Sequence, residues 1–287
     1  MRNIRLRNGI LSLICAFQLL SAPKAIEASA SEPRDVTIPF AQPNGAIRQL
    51  QALEIVPADT GKYPLVVISH GSPRKPADRP LMSPERYLRI ATWFAGHGFA
   101  VVVPMRRGYG KSDGPWAEGY GTCQAPQYDR AGLESAQDIQ AVVSYMRGQS
   151  FVDPRRIVLV GVSAGAWGSL AAASQNPPGV AAVIAFAPGR GSYAPDAVCG
   201  SGALVSAAGG FGSTARIPLL WISAENDHFF GPTLAKAMFD AFHSASQAPA
   251  EFVAAPDCGW DGHMLFTNCP NQWHDAVDAF LQRTVGR

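Results

Sequence analysis

Ser163 stands at the centre of Gly161-Val162-Ser163-Ala164-Gly165, a G-x-S-x-G pentapeptide where an apolar run ends and an Ala-rich run begins. A serine on a sharp strand-to-helix turn lifts its hydroxyl above a sheet. Side chains two positions away on either side would crowd such a turn, so glycine is needed there. The chemistry on offer is nucleophilic. A hydroxyl attacks an acyl carbon once a base takes its proton and fixed donors hold the developing oxyanion. Gly168, one turn further on, would let the following helix pack close to neighbouring strands.

Such a turn needs a strand before it, a helix after it and a sheet around it. Short continuous apolar runs at Tyr63–Ser69, Phe99–Pro104, Arg156–Gly161, Val180–Pro188, Ile217–Ser223 and Ala250–Ala255 read as buried parallel strands. Val36 to Pro57 alternates apolar and polar residues, which predicts a half-buried antiparallel pair at a sheet edge. Helical patterns separate the runs, over 83–98, 131–148, 231–245 and 271–285. The second of them places Leu133, Ile139, Val142, Val143 and Met146 on one side. This alternation predicts an α/β fold with an open, mostly parallel sheet covered on both faces, and functional residues at the carboxyl ends of its strands. Two long connections, Arg106–Arg130 and Gly189–Ala215, are expected to border the site. No repeat or linker calls for a second domain, so 31–287 reads as one catalytic unit.

From about Val36 to Arg287 the chain resembles the α/β-hydrolase family, through its strand order and through three stretches: "GVSAG", "LLWISAENDHFFGP" and "CGWDGHMLFTNC". The resemblance implies the chain order Ser…Asp…His. It makes Ser163 the nucleophile and assigns the acid to Asp227, just beyond the strand Ile217–Ser223, with Glu225 the nearest competitor. It assigns the base to His263, on the loop after the last strand. His70, His97, His228, His243 and His274 fit that place less well. The oxyanion donors it implies are the backbone N–H of Ala164 and that of Ser72, in "SHGSPRK". "MRRGYGKSDG" resembles the family's Asp-x-Arg-Gly-x-Gly-x-Ser stretch with Met105 in place of the acid, and Arg107 there reads as structural.

Within the family the chain looks closest to dienelactone-hydrolase-like and small secreted esterases without a large cap domain. The usual nucleophile of dienelactone hydrolases is cysteine, so lactone specificity does not carry over to Ser163. The reaction implied is hydrolysis of a small-molecule carboxylic ester through an acyl-enzyme, with no metal or organic cofactor. Trp116, Tyr120 and Trp167 are candidate pocket linings. A serine peptidase acting on short peptides is the alternative. A non-catalytic binding module is a second one, against which an intact Ser163, Asp227 and His263 argue.

Composition narrows the partners and the compartment. A net charge of +2 and the lack of any run of like charges give no footprint for nucleic acid. Arg2, Arg5 and Arg7, an apolar stretch from Ile10 to Leu20, and Ala28-Ser29-Ala30 form a secretory signal pattern. Cleavage near Ala30 would send the chain to the periplasm or the medium with no membrane span left. Four cysteines then remain, an even number that favours disulfides in an exported protein. Of the three connectivities, the preferred one pairs Cys258–Cys269 across a short loop and Cys123–Cys199 across two long ones. No close Cys-x-x-Cys or His-x-x-x-His spacing supports zinc. Two cofactor motifs are decoys. Gly110-Lys111-Ser112 lacks the first glycine of a phosphate loop, and "GRGSYA" from Gly189 runs into Pro195.

Overall fold

The computed structural model describes residues 31–41 and 45–287, and the candidate signal segment lies outside them. Its main sheet has eight strands: β1 (Arg34–Ala41), β2 (Ile47–Ile55), β3 (Tyr63–Ser69), β4 (Ala100–Pro104), β5 (Val152–Val162), β6 (Val180–Phe186), β7 (Leu219–Ala224) and β8 (Ala250–Ala255). They lie in the order β1-β2-β4-β3-β5-β6-β7-β8. β2 runs antiparallel to β1 and β4, and the remaining neighbours pair in parallel. The helices are α1 (Leu88–Gly96), α2 (Tyr128–Arg147), α3 (Ala164–Ser174), α4 (Ser201–Thr214), α5 (Pro232–Ala245), a single turn α6 (Leu265–Asn268) and α7 (His274–Val285).

Both faces of the sheet are covered, which explains why its central strands are apolar at every position. Leu65 and Val67 of β3 pack into the layer of α2, α3, α4 and α5, while Val66 and Ile68 pack toward α1 and α7. The alternating stretch forms the edge pair β1–β2. This is the mostly parallel α/β sheet that the strand pattern predicts.

Four local expectations need correction, the first being Ala250–Ala255, which is not a buried strand but the half-exposed edge strand β8. The connection 189–215 is not simply a loop, because it contains α4, which buries Leu204, Ala208 and Phe211 at helical spacing. Leu133 does not face the core and is 39% exposed. Its neighbour Gly132 takes the buried stripe instead, and one residue further along is about 100° round the helix. Gly168 gives close approach to α2, not to a strand: a Cβ there would lie 2.6 Å from Ser135 Cβ.

The elbow between β5 and α3 requires its two glycines sterically. A Cβ on Gly161 would stand 2.5 Å from Ala166 Cα, and one on Gly165 would stand 2.1 Å from Ser69 O at the end of β3. Neither backbone can yield without moving the turn. Both preferred cysteine pairs are present, Cys123–Cys199 with Cα atoms 4.7 Å apart and Cys258–Cys269 with Cα atoms 6.0 Å apart. The first joins the two long connections, and the second brackets the turn carrying His263.

Candidate active site

Ser163 holds φ 55° and ψ −122°, a left-handed conformation that costs a residue with a side chain on the order of 1–3 kcal/mol. Its N–H donates to Phe186 O at 2.9 Å, and its carbonyl accepts from Trp167 N at 2.9 Å. The residue is thereby pinned between the end of β6 and the first turn of α3. Ala164 follows as the first residue of α3, where the helical pattern provides no partner for the N–H.

Asp227 lies in the loop after β7. Its Oδ1 accepts from Phe229 N at 2.7 Å and Phe230 N at 2.9 Å, and its Oδ2 lies 3.1 Å from His263 Nδ1. Burial pushes this carboxyl up, but His263 and the two amides outweigh it and hold the group below its ordinary value. A carboxylate only accepts, so His263 Nδ1 must donate and Nε2 keeps the basic lone pair. The His263 turn is capped by Asp261, whose Oδ1 accepts from His263 N at 2.9 Å and from His228 N at 3.1 Å. That carboxylate ties the histidine turn to the acid loop. The Phe229 ring stacks on the imidazole at 3.8 Å, and the Arg74 guanidinium sits 3.4 Å from the same ring, necessarily on its other face.

Two cavities open at Ser163. One, of about 610 Å³, is lined by Ser163 and His263 together with Leu81, Tyr87 and Phe266. The other, of about 90 Å³, is lined by Ser163, Ser72, Ala164, Trp116 and Tyr120. The fold therefore brings together every residue singled out around Ser163 except Trp167. That side chain is fully buried, packs on Phe211 and donates from Nε1 to Tyr128 O at 2.8 Å. It follows Ser163 by one helical turn, which aims it into the α2–α3–α4 layer and away from the pocket.

Sequence reasoning missed the polar cluster beneath the small cavity. Glu118, 2% exposed, pairs with Arg106 and accepts from Arg190 Nη2 at 2.6 Å. Burial pushes its carboxyl up, yet Arg106 and Arg190 outweigh that and hold it well below the usual carboxylate range. Tyr109 Oη stands 2.8 Å from Glu118 Oε2 and 2.8 Å from Ser72 Oγ, and it accepts from Trp116 Nε1 at 2.9 Å. Arg106 also donates to His70 O at 2.7 Å, and its N–H donates to His70 Nε2 at 3.0 Å. The loop from His70 to Ser72 thus rests on a buried ionic frame. Arg107 behaves as the structural residue expected, since its Nε donates to Asp138 Oδ1 at 2.6 Å. The available sequence signal was an arginine just past a strand's carboxyl end, as Arg106 is for β4 and Arg190 for β6. Among the described residues, no cluster of His, Cys, Asp or Glu could hold a metal ion, and no helix is long and apolar enough to cross a membrane.

Similar folds occur in an esterase from Pyrococcus furiosus (18% identity, TM-score 0.61, covering 88% of this chain and 93% of that one). They also include an acetyl xylan esterase from Paenibacillus sp. R4 (14%, TM-score 0.61, covering 92% and 87%). A third is an α/β hydrolase from Penicillium sp. sh18 (18%, TM-score 0.64, covering 90% and 100%). No curated protein sequence gives a significant match. The family model for X-Pro dipeptidyl-peptidases (S15 family) matches residues 45–280. That span runs from β2 through most of α7 and takes in the serine elbow, the acid loop and the histidine turn. The chain therefore belongs to the X-Pro dipeptidyl-peptidase (S15) family and is a hydrolase of the α/β-hydrolase fold.

Proposed function

We propose that the protein is an exported serine hydrolase that cleaves carboxylic esters through an acyl-enzyme on Ser163. One observation carries this reading: Asp227 holds His263 at 3.1 Å, and His263 shares a cavity with Ser163. His263 Nε2 takes the Ser163 proton as Oγ bonds to the ester carbonyl carbon. The tetrahedral oxyanion turns to the backbone N–H groups of Ala164 and Ser72, each such donor contributing about 3–4 kcal/mol. The carbonyl re-forms, the bond to the alcohol oxygen breaks, and His263 returns the proton to the departing alkoxide. Water, deprotonated by His263, then releases the acid and restores Ser163. The cycle calls for neither a metal nor an organic cofactor.

The two cysteine pairs support export, because disulfides persist in oxidising compartments. Residues 1–30 are then the signal peptide, and 31–287 the catalytic domain. The test of the nucleophile is a fluorophosphonate probe. Wild type is expected to label and Ser163→Ala to stay unlabelled, whereas a folded wild type that stays unlabelled would refute the proposal.

The family model favours a second reading, a peptidase. A peptide's amino terminus would need a carboxylate to hold it. Among the residues lining the two cavities the one carboxylate is Asp78, which is exposed, and this favours the ester. Release of p-nitrophenol from esters, against aniline from peptide anilides, separates the two.

The Cys258–Cys269 bond would act through His263, whose turn it brackets. The double variant Cys258→Ser/Cys269→Ser is expected to lose about 2–3 kcal/mol of stability. Its kcat should also fall several-fold with little change in KM, as the histidine turn loosens. Wild-type kcat in a folded double variant would show that the bond only stabilises.

A further inference from the structure

The two cavities that meet at Ser163 differ in kind. The larger contains His263 and an apolar wall that includes Leu81, Met82, Met264 and Phe266, with the charged Asp78 and Arg86 also on its lining. Ser72 and Arg74 line both, whereas the smaller adds Ala164, Arg79 and Arg190 and lacks His263. Among the described residues, no carboxylate lines the smaller one.

Charge does not balance around the smaller cavity. Arg190, only 5% exposed, donates from Nη2 to Glu118 Oε2 at 2.6 Å and to Ser135 Oγ at 2.7 Å. Glu118 must serve Arg106 as well, so two buried guanidiniums share one carboxylate. Arg190 Nε is buried and has no partner among the described residues. Arg79 repeats the pattern: its guanidinium lies 3.5 Å over the Trp116 ring, and its Nε is also buried without a partner. Arg74 is exposed and donates to Ser192 Oγ at 2.8 Å, so among the described residues the unmatched buried donors at this cavity belong to Arg79 and Arg190. Uncompensated cations in a low-dielectric site are costly, and a bound anion removes that cost. Arginine's planar fork suits a carboxylate in particular.

The chemistry orients the ester. His263 must protonate the leaving alcohol, so the alcohol lies in the larger cavity that contains His263. The acyl group then lies in the smaller cavity, beside the arginines. We propose that this smaller cavity binds a carboxylate carried on the acyl group. The substrate class is thus a monoester of a short dicarboxylic acid with a bulky apolar alcohol. The proposal rests on Ser163 being the nucleophile. A cavity of about 90 Å³ suits a short acyl chain such as a malonyl or succinyl group. The acyl–Oγ bond forms as the ester C–O bond breaks, and the alcohol leaves with the proton from His263. Water then supplies the oxygen that completes the dicarboxylate.

The experiment compares 1-naphthyl hydrogen succinate with 1-naphthyl butyrate, esters alike in length that differ in the terminal carboxylate, on the disulfide-bonded protein. The kcat/KM ratio is expected to favour the succinate by about 100-fold at low salt. It should fall at least about tenfold in Arg79→Gln and recover only in part in Arg79→Lys, which keeps the charge but not the fork. A ratio near one, or a preference for butyrate, overturns the proposal. Calorimetric titration of Ser163→Ala with sodium succinate and with sodium butyrate reads the subsite without turnover. Stronger binding of succinate, weakened by added salt, supports the subsite, and equal or absent binding refutes it. Fluorophosphonate labelling keeps the two readings apart. A labelled Ser163 without succinate preference removes the subsite alone, while succinate binding by a protein that never labels removes the nucleophile alone.

Discussion

Ser163→Ala is expected to lower kcat/KM by about 10⁴- to 10⁶-fold on any ester that the wild type turns over, with stability almost unchanged. Alanine keeps the Cβ and therefore the strain of φ 55°, ψ −122°, so only the hydroxyl is lost. Ser163→Gly separates the two properties. It is as inactive, yet it relieves about 1–3 kcal/mol of backbone strain against an entropic cost of about 0.5–1 kcal/mol. The net gain is on the order of 1 kcal/mol, roughly 2–4 °C in Tm for a domain of this size. Thermal melts of the three proteins decide the matter. A glycine variant that melts below wild type would show that the elbow stores no strain, and a glycine variant that turns over would show that Ser163 is not the nucleophile. Asp227→Asn gives the milder companion effect, about 10⁴-fold, since the serine and the histidine stay but the tautomer is no longer fixed.

Much of this geometry was legible because it rests on steric necessities that leave residue types behind. A turn on which a Cβ at Gly165 would stand 2.1 Å from Ser69 O excludes every other residue there. Strands buried on both faces must be apolar throughout, and five of the apolar runs are the strands β3 to β7, whereas the sixth is the edge strand β8 with Glu251 exposed. The resemblance then supplied Asp227 and His263, and the fold places them at hydrogen-bond distance. What escaped notice was whatever lacked a period or a forced residue type. α4 reads as a loop because Gly, Ser and Ala dilute its buried positions Leu204, Ala208 and Phe211. Trp167 looked like a pocket wall because it is aromatic and near Ser163 in the chain, but one helical turn points it into the core. Glu118 lies in an irregular segment, and its partners Arg106 and Arg190 come from the ends of different strands. Only the folded chain brings those three charges together.

That cluster makes the second large prediction. Glu118→Gln is expected to cost about 3–5 kcal/mol of folding stability, because it leaves Arg106 and Arg190 buried beside a neutral amide. All three side chains are almost fully enclosed, so solvent does little to screen the loss. The acid response of the wild type follows from the same frame with the sign worked out group by group. The Glu118 carboxyl is held well below its ordinary value, so its contribution is complete above the unfolded value near 4.3 and is lost only below that. His70 behaves differently. Burial and the nearby Arg106 push its imidazole down to about 3, consistent with Arg106 N–H donating to Nε2. Between the ordinary value of about 6.5 and that lowered one, the unfolded chain binds a proton that the folded chain refuses. Stability therefore falls with acidification across that window, by up to about 1.4 kcal/mol per pH unit. Asp138, raised by burial to about 6, opposes this below pH 6, because there the folded chain binds a proton that the unfolded one lacks. From pH 7 to 6, urea titrations should therefore show wild type and Glu118→Gln losing stability in parallel, offset by the cost of the substitution. An offset below about 1 kcal/mol would mean that water reaches the two arginines, since an exposed pair contributes no more than that. A variant that lost its acid response would place the titrating group at Glu118 instead of His70.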